Sequence, residues 1–283
     1  VCKAIFSNTG ERKKLGMRFC LLASGSTGNA AIIDGGGCRL LLDAGLSARK
    51  LEGLMEARDL HPSRLDGILV THEHSDHVKG LDVIARKYEL PVYANRKTWE
   101  ALEKMKIEIA DNKRHILETG ESMRLGGLEV RSFPVSHDAA DPVGYTFCDG
   151  ETKLSFATDL GYMSEKVKES VVDSDVLVLE SNHDIEMLRV GRYPWNVKRR
   201  ILSDVGHLSN EAAGEALCDI VPFGRVRRVY LAHLSRDHNV MDLAILTVHN
   251  IVEQRGYSLR ERKVRLMETY YDRPTLWDAV GMD

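Results

Sequence analysis

The sequence lacks the features that mark several large classes of protein. Its 283 residues include no apolar run long enough to cross a bilayer and no signal peptide, so we expect no membrane partner and a cytoplasmic location. The five cysteines are scattered and form no Cys-x-x-Cys pair, which favours reduced thiols over a disulfide framework. The formal net charge is −3, so no global basic field indicates nucleic acid, although a local basic patch would be enough to bind it.

The length of the chain allows one large domain or two small ones. Residues 1–16 are polar and aperiodic and lack a starting methionine. The first clear strand pattern begins at Met17. We therefore predict that residues 1–16 are an N-terminal extension outside the fold, that the natural start is Met17, and that residues 17–283 form a single domain.

One short segment, residues 71–77, concentrates the candidate chemistry of the chain. Its sequence is Thr-His-Glu-His-Ser-Asp-His. An apolar run typical of a buried strand, residues 67–70, precedes it, and residues 78–88 after it have helical spacing. The alternative interpretation is a polar turn whose histidines cap a helix, but a turn does not require so many ligand-type side chains.

The spacing within this segment suits metal binding. His72 and His74 are two residues apart, so in an extended segment they point to the same side. Asp76 and His77 lie at the turn into the helix and can face a second point nearby. Nitrogen and carboxylate ligands without a thiolate suit zinc, iron or manganese.

Three later strand patterns each end at a further candidate ligand: His137, Asp159 and His233. Core histidines and carboxylates can fall anywhere, whereas a site assembled between two sheets collects them at strand ends. His137 is placed so that a third imidazole could complete a metal site with His72 and His74. The strands alternate with helical patterns and form two groups, which indicates an α/β protein.

The His-x-His-x-Asp-His order of residues 72–77 resembles the signature of the metallo-β-lactamase fold superfamily. The resemblance implies an α/β fold in the form of a four-layer αββα sandwich, with two mixed β-sheets flanked by helices. It implies two divalent metal ions, zinc or manganese with iron as a third candidate. It further implies that Asp43, at the end of a strand, supports the metal site without binding the ions. The implied metal ligands are His72, His74, Asp76, His77, His137, Asp159 and His233.

In this assignment Asp159 is shared between the two ions. The first ion is held by His72, His74, His137 and Asp159, and the second by Asp76, His77, Asp159 and His233. Two ions held about 3.5–4 Å apart could share a hydroxide that attacks an ester or phosphodiester. No Gly-x-Ser-x-Gly elbow offers a competing serine nucleophile.

Residues outside the ligand set bear on the substrate class. Glu180, the segment around His207 and the segment that follows His233 occur in an order that looks like the phosphodiesterase branch of the superfamily. That resemblance implies catalytic roles for Asp76, Glu180 and His207. Glu180 would orient His207, which would contact the phosphate or protonate the leaving oxygen. A loop histidine that caps a helix is the alternative for His207.

The resemblance can be narrowed to one family. The segment between His137 and Asp159 is too short for the substrate-gripping arm that tRNA-processing enzymes insert there. The segment between Asp159 and His233 is too short for the β-CASP domain of the large RNA-processing nucleases. Ser-Gly-Ser-Thr-Gly-Asn at 24–29, the segment 71–77, and Tyr-Pro followed by Gly-His-Leu-Ser-Asn at 206–210 together look like the YycJ (WalJ) family. The likeness covers nearly the whole chain from Met17. It implies 5′-to-3′ exonuclease activity on DNA, and therefore a nucleic-acid partner.

Two segments are candidates for substrate contact, and each has a structural alternative. The loop at 24–29 leads into a strand and not a helix, so it is either a tight hairpin or a loop that lines the site. The basic cluster at 198–200 is either a solvated helix face or a contact for backbone phosphates. The predicted substrate contacts are Ser26, Asn29, Lys198, Arg199, Ser209 and Ser235.

Two other functions stay open at this point. One is a small-molecule hydrolase, such as a glyoxalase-type thioesterase or a cyclic-nucleotide phosphodiesterase. The other is a non-catalytic binding protein on the same fold. Antibiotic hydrolysis is disfavoured because Cys148 and Cys218 do not follow strands in the manner of ligands. The sequence leaves the identity of the metal and the oligomeric state undetermined.

Overall fold

Two β-sheets of seven strands each carry the architecture of the protein. The structure is a computed structural model that describes residues 16–281. The predicted N-terminal extension therefore lies outside the described residues, except for Gly16. The first sheet contains, in chain order, β1 (Arg18–Ala23), β2 (Ala30–Gly35), β3 (Cys38–Leu42), β4 (Gly67–Leu69), β5 (Val92–Ala94), β6 (Arg114–Ile116) and β14 (Asp278–Ala279).

The second sheet and nine helices make up the rest of the described secondary structure apart from two short 3-10 turns. The second sheet contains β7 (Ser122–Leu125), β8 (Leu128–Pro134), β9 (Val143–Asp149), β10 (Thr152–Ala157), β11 (Val176–Glu180), β12 (Arg228–Ala232) and β13 (Arg265–Met267). The helices are α1 (Ala48–Glu56), α2 (Ser75–Val78), α3 (Leu81–Tyr88), α4 (Arg96–Lys104), α5 (Glu165–Val171), α6 (Ile185–Val190), α7 (Trp195–Ile201), α8 (Asn210–Ile220) and α9 (Met241–Gln254). No helix in the described part of the chain combines the length and the apolar character needed to span a membrane.

Alternating side chains along each strand place the sheets in the middle of four layers. In β1, Phe19 packs into the core between the two sheets, whereas the next residue, Cys20, packs against the helices on the outer face. In β12, Tyr230 faces the other sheet and Val229 faces the outer helices. Both faces of the central strands are therefore covered, which explains why β2 and β11 are buried along their whole length.

Both sheets are mixed. In the first sheet, β1, β2 and β3 pair antiparallel and β3 to β6 pair parallel. In the second, β7 to β10 pair antiparallel and β10 to β13 pair parallel. The predicted αββα sandwich with two mixed sheets is confirmed.

The helical pattern predicted over 78–88 is wrong in its boundaries. The structure has two helices here, α2 and α3, separated at Gly80. The backbone N–H of Gly80 donates to the carbonyl of Ala44 at 2.8 Å, and a β-carbon at this position would lie 2.2 Å from the carbonyl oxygen of Leu46. This close approach to the end of β3 divides the helix and pulls Asp76 and His77 into a short helix of their own.

The C-terminal segment, for which the sequence indicated no role, completes the first sheet. After β13 the chain leaves the second sheet, and β14 pairs antiparallel with β1. Thr275 accepts a hydrogen bond from the backbone N–H of Leu21 at 3.0 Å, and the guanidinium of Arg58 donates to the carbonyls of Pro274 and Thr275 at 2.6 and 2.5 Å. The tail therefore joins the two sheets along one side.

At Gly45 the segment after β3 meets the loop that contains Asn29 and the helix that contains Asp76. The backbone N–H of Gly45 donates to the carbonyl of Asn29 at 2.9 Å, and the N–H of Asn29 donates to the carbonyl of Asp76 at 2.8 Å. A β-carbon on Gly45 would lie 1.6 Å from the Asp76 oxygen. Only glycine fits between these backbones.

We expect Gly45→Ala to lower the free energy of unfolding by about 3 kcal/mol or more, because the added methyl group overlaps rigid backbone. Its matched control is Gly53→Ala on the exposed face of α1, where a β-carbon meets nothing within 4 Å. That change is expected to raise the free energy of unfolding by about 0.5–1 kcal/mol. Denaturant titration of both variants measures the difference, and equal effects would contradict the role given to Gly45.

Candidate metal centre

The two sheets deliver a cluster of imidazoles and carboxylates to one edge of the sandwich. His72 follows β4, His137 follows β8, Asp159 follows β10 and His233 follows β12. Because β10, β11 and β12 are parallel neighbours, their carboxyl ends meet at the same edge. Four groups of side chains have ligand atoms within 4.8 Å of one another. They are His72, His74 and His137; His72, His77 and Asp159; Asp76, His77 and His233; and Asp159, Glu180, His207 and His233.

Most of the histidine rings point the same nitrogen away from the centre of the cluster. His77 Nδ1 lies 2.8 Å from a carboxylate oxygen of Asp43, and His137 Nδ1 lies 3.0 Å from the carbonyl oxygen of Gly206. An acceptor at Nδ1 fixes the proton there and leaves the lone pair of Nε2 for a metal.

His72 and His233 are oriented in the same way. His72 Nδ1 lies 3.0 Å from the hydroxyl of Thr71, and His233 Nδ1 lies 3.0 Å from the carboxylate of Glu180. His74 is the exception, because its Nδ1 faces inward and lies 3.2 Å from His137 Nε2. This supporting layer is what metal-binding imidazoles require to be held in one orientation.

Asp159 lies between the two predicted ligand groups. Its Oδ1 is 4.0 Å from His137 Nε2 of the first group and 3.3 Å from His233 Nε2 of the second, and its Oδ2 is 3.4 Å from His77 Nε2. Asp76 Oδ2 is 3.5 Å from His233 Nε2. The structure thus brings together the seven residues that the sequence predicts as metal ligands.

The cluster fits a divalent metal ion. The Nε2 atom of His72 and the Oδ2 atom of Asp159 are buried and have no hydrogen-bond partner. Leaving such atoms unpartnered is unfavourable unless a ligand completes them. The donors are imidazole nitrogens and carboxylate oxygens, which suit divalent first-row metals. The side chains therefore form a site for divalent metal.

The charges in this cluster compensate one another. Burial favours the neutral form of Asp159, but the neighbouring His233 and His77 outweigh it and hold the pKa of this carboxyl well below its usual value. Burial likewise disfavours a charge on His77, yet Asp159 and Asp43 raise the pKa of His77 well above its usual range. His72 lies further from the carboxylates than His77 does, and burial lowers the pKa of His72 well below its usual value.

Three residues of this edge adopt a backbone conformation that side chains rarely take. Asp43, Asp159 and His233 have φ angles of 57°, 58° and 55°. The left-handed conformation costs a residue other than glycine about 1–2 kcal/mol. Each of these residues directly follows a strand or lies two residues beyond it, so the turn aims its side chain into the cluster. No sequence pattern indicates this feature, because none of the three is a glycine.

A buried carboxylate connects the cluster to His207. Glu180 is fully buried, and its Oε1 lies 2.8 Å from His207 Nδ1 and 3.0 Å from His233 Nδ1. Burial would raise the pKa of Glu180, but His207 and His233 lower it to about 2. The Glu180 side chain is therefore ionised and holds both rings.

His207 does not cap a helix. The cap of α8 is Ser209, whose hydroxyl accepts a hydrogen bond from the backbone N–H of Ala212 at 3.1 Å. The His207 side chain keeps a fifth of its surface exposed at the mouth of the cluster. The helix-capping interpretation of His207 is therefore wrong.

The loop at 24–29 is both a hairpin and part of the wall of the site. It joins the antiparallel strands β1 and β2. Asn29 Nδ2 lies 3.1 Å from His77 Nε2, so this amide reaches one of the predicted metal ligands. Ser26 is exposed on the same loop. The structure therefore places Asn29, one of the two predicted contacts of this loop, beside the cluster.

The prediction that the basic cluster at 198–200 fans outward is wrong for Lys198. This side chain is 7% exposed, and its ammonium donates to the carbonyls of Arg189 and Gly191 at 2.7 and 2.6 Å. These hydrogen bonds to carbonyls at the end of α6 and just after it keep the Lys198 side chain buried. The ammonium is therefore not available to bind phosphate. Arg200 forms an ion pair with Asp138, whereas Arg199 is exposed.

Two predicted substrate contacts have structural partners instead of free hydroxyls. Ser209 is 8% exposed and caps α8. Ser235 is 7% exposed, and its hydroxyl lies 3.4 Å from His238 Nδ1. Both lie on segments that border the cluster, but their hydroxyl groups are committed elsewhere.

His183 is a buried residue whose role was not predicted. Its side chain is 1% exposed, and neither ring nitrogen has a hydrogen-bond partner. Burial lowers its pKa to about 4, partly opposed by Glu180 and reinforced by His207 and His238. The segment 180–184, rich in polar residues after a buried strand, was the available signal.

Two mixed sheets packed face to face, with imidazole and carboxylate ligands gathered at one edge, define a hydrolase of the metallo-β-lactamase type. The sequence profile described as "Beta-lactamase superfamily domain" matches residues 38–234. The structure of YhfI from Bacillus subtilis, a metallo-β-lactamase fold protein, superposes with a TM-score of 0.68 at 15% identity and covers 92% of this chain and 99% of that one. At that identity the match shows the shared fold alone.

Sequence comparison identifies the family. The chain is 48% identical over 247 residues to exodeoxyribonuclease YycJ of Bacillus anthracis, which covers 87% of this chain and 93% of that protein. It is 42% identical over 243 residues to exodeoxyribonuclease WalJ of Streptococcus pneumoniae serotype 2, which covers 85% and 90% of the two chains. The chain therefore belongs to the metallo-β-lactamase superfamily and, within it, to the YycJ (WalJ) family.

Acidification is expected to destabilise the protein through His183. Because the folded-state pKa of about 4 lies below the ordinary value of 6.5, the neutral ring favours the folded state. This contribution is fully present above pH 6.5 and is lost as the pH falls through about 4. The free energy of unfolding of the wild type should therefore fall more steeply between pH 6.5 and 4 than that of His183→Gln.

Denaturant titrations across this pH range measure the two slopes. The matched control is His249→Gln, which removes a half-exposed histidine from α9 and should leave the wild-type slope unchanged. Parallel curves for wild type and His183→Gln would show that His183 is not buried in the neutral form.

Proposed function

We propose that the protein is a dinuclear metal-dependent phosphodiesterase that degrades DNA from the 5′ end. The observation that carries this proposal is the pairing of Glu180 with His207 beside the metal ligands, at 2.8 Å. A metal-only esterase has no need of a buried carboxylate that orients an additional, partly exposed histidine. The two relatives that match most of the chain, both named exodeoxyribonucleases, support the same reaction.

Two ions are proposed because Asp159 contacts both ligand groups, with its Oδ1 4.0 Å from His137 Nε2 and its Oδ2 3.4 Å from His77 Nε2. His72, His74 and His137 would hold the first ion, and Asp76, His77 and His233 would hold the second. When bound, such ions lower the pKa of a coordinated water and withdraw charge from the phosphate oxygens. Zinc and manganese are the favoured metals, with iron as a third candidate, since the donor set accepts all three. A cytoplasmic location stays a prediction.

The residues of the chain supply the remaining steps of the reaction. The carboxylate of Glu180 accepts a hydrogen bond from Nδ1 of His207, so Nε2 of that ring is the nitrogen available to substrate. With its Nδ1 held by the carboxylate of Glu180, His207 can donate a proton from Nε2 to the departing sugar oxygen. Transfer of a proton to the leaving group is the usual means by which such a bond is broken near neutral pH.

The small-molecule hydrolase is not favoured. A thioester releases a thiolate that needs no proton from an acid, so Glu180 and His207 would have no role in that reaction. The non-catalytic alternative is also disfavoured, because buried ligand atoms such as His72 Nε2 are left unpartnered without a metal.

A panel of substrates tests the proposal. The metal-reconstituted protein is offered 5′-phosphorylated duplex DNA, single-stranded DNA, RNA and a small thioester, each with zinc or manganese. We expect stepwise release of 5′ nucleotides from DNA, and none from an Asp159→Ala control prepared in parallel. Hydrolysis of the thioester with inert nucleic acids would overturn the proposed function while leaving the metal centre intact.

His207→Ala is expected to reduce DNA degradation about 10²- to 10⁴-fold, because the proton donor is lost. Its metal content, measured by elemental analysis, should equal that of the wild type, since the ligands are unchanged. His249→Ala, which removes an exposed histidine far from the cluster, controls for the substitution itself and should keep full activity. An unchanged rate in His207→Ala would remove this residue from the mechanism.

A further inference from the structure

A cavity of about 560 Å³ lies next to the metal centre, on the side of His233. It is bordered by Ser24 at the end of β1, by the loop that follows β12, and by the segment 269–273 that follows β13. The hydroxyl of Ser24 accepts a hydrogen bond from the backbone N–H of His233 at 2.8 Å. The cavity and the metal centre therefore share a wall, and its volume is that of sites that bind small molecules.

The three segments around the cavity are fixed to one another. The backbone N–H of Ser24 donates to the carbonyl of Tyr270 at 2.9 Å, and the hydroxyl of Thr269 donates to the carbonyl of Leu231 at 2.8 Å. Gly25 has a φ of +152°, and a β-carbon there would lie 3.0 Å from the carbonyl oxygen of Leu234. The wall of the cavity is thus preformed and tied to the strand that carries His233.

Arginine and tyrosine side chains dominate the open face of this cavity. The guanidinium carbon of Arg236 lies 5.5 Å from the centre of the Tyr271 ring, and that of Arg273 lies 4.0 Å from the Tyr270 ring. Within residues 16–281, neither arginine has a carboxylate oxygen within ion-pair distance. The Tyr271 side chain is 42% exposed. Asp272 also lines the cavity, so two guanidinium groups face one carboxylate.

We propose that this cavity is a subsite for single-stranded nucleic acid next to the cleaved phosphodiester. A base of the strand stacks on the ring of Tyr271, and Arg236 and Arg273 contact the neighbouring phosphates. Aromatic rings interleaved with unpaired arginines are the side chains by which proteins bind single strands without reading their sequence. This inference rests on the proposed function and adds to it how the strand is held.

Substitutions at the aromatic ring test the stacking. Tyr271→Ala is expected to raise the KM for single-stranded DNA about tenfold with little change in kcat, because stacking contributes to binding and not to bond breakage. The kcat/KM for the oligonucleotide, divided by the kcat/KM for bis(p-nitrophenyl) phosphate, should fall by the same factor. Tyr271→Phe keeps the ring and should restore the wild-type KM.

The arginines are tested by the salt dependence of binding. An oligonucleotide that carries 2-aminopurine is titrated with protein whose metal has been removed by a chelator, so that binding is measured without cleavage. In wild type the fluorescence of one 2-aminopurine position should be quenched by stacking, and Tyr271→Ala should abolish the quenching. Arg236→Ala is expected to weaken binding and to reduce the slope of log Kd against log salt by about 0.7, the value for one phosphate contact on a single strand.

Arg262→Ala is the matched control, because Arg262 lies over the Tyr257 ring at 5.7 Å but does not line this cavity. It removes the same charge and should behave as wild type in every assay. If the wild type degrades DNA and both Tyr271→Ala and Arg236→Ala behave like Arg262→Ala, the proposed subsite is overturned but the proposed nuclease activity is not. Equal losses on DNA and on the small phosphodiester would show that Tyr271 is structural, and would also overturn it. Wild type that neither degrades DNA nor quenches the bound probe would overturn both proposals.

Discussion

The structure depends on compensating the charge that is buried where the two sheets meet. A buried carboxylate or imidazolium is tolerated only when opposite charge and hydrogen bonds surround it. Asp159 satisfies this requirement by lying between His77 and His233, and Glu180 satisfies it by holding His207 and His233. The cluster is thus stable as an ion-paired assembly and is at the same time positioned for metal.

Hydrogen bonds also connect His207 to His137 through one short segment. The carbonyl of Gly206 accepts from His137, and the next residue is His207 itself. Ser136 donates to the carbonyl of Asp204, and the segment 136–141 is further held by the ion pair between Asp138 and Arg200. A displacement of the loop between α7 and α8 would therefore move His137 and His207 together, so the two rings keep their relative positions.

The fold could be predicted because a short segment carries the resemblance to the superfamily, and the candidate ligands could be located because they depend on local order. The His-x-His-x-Asp-His segment and the strand ends at His137, Asp159 and His233 are each visible within a few residues. Lys198 could not be placed, because the carbonyls that bind its ammonium are brought to it only by the packing of α6 against α7. The partner of each histidine, such as Asp43 for His77, likewise depends on which strands become neighbours.

The pairing of β14 with β1 bears on the order in which the protein forms during synthesis. Strands β1 to β6 leave the ribosome early, but the strand that completes their sheet follows all of the second sheet. Until then the outer edge of β1 presents unpaired backbone groups, which are a template for pairing with another chain. Contacts between residues so distant in sequence form slowly. Nascent chains of this topology therefore keep one edge of the first sheet open until β14 has been made and closes it.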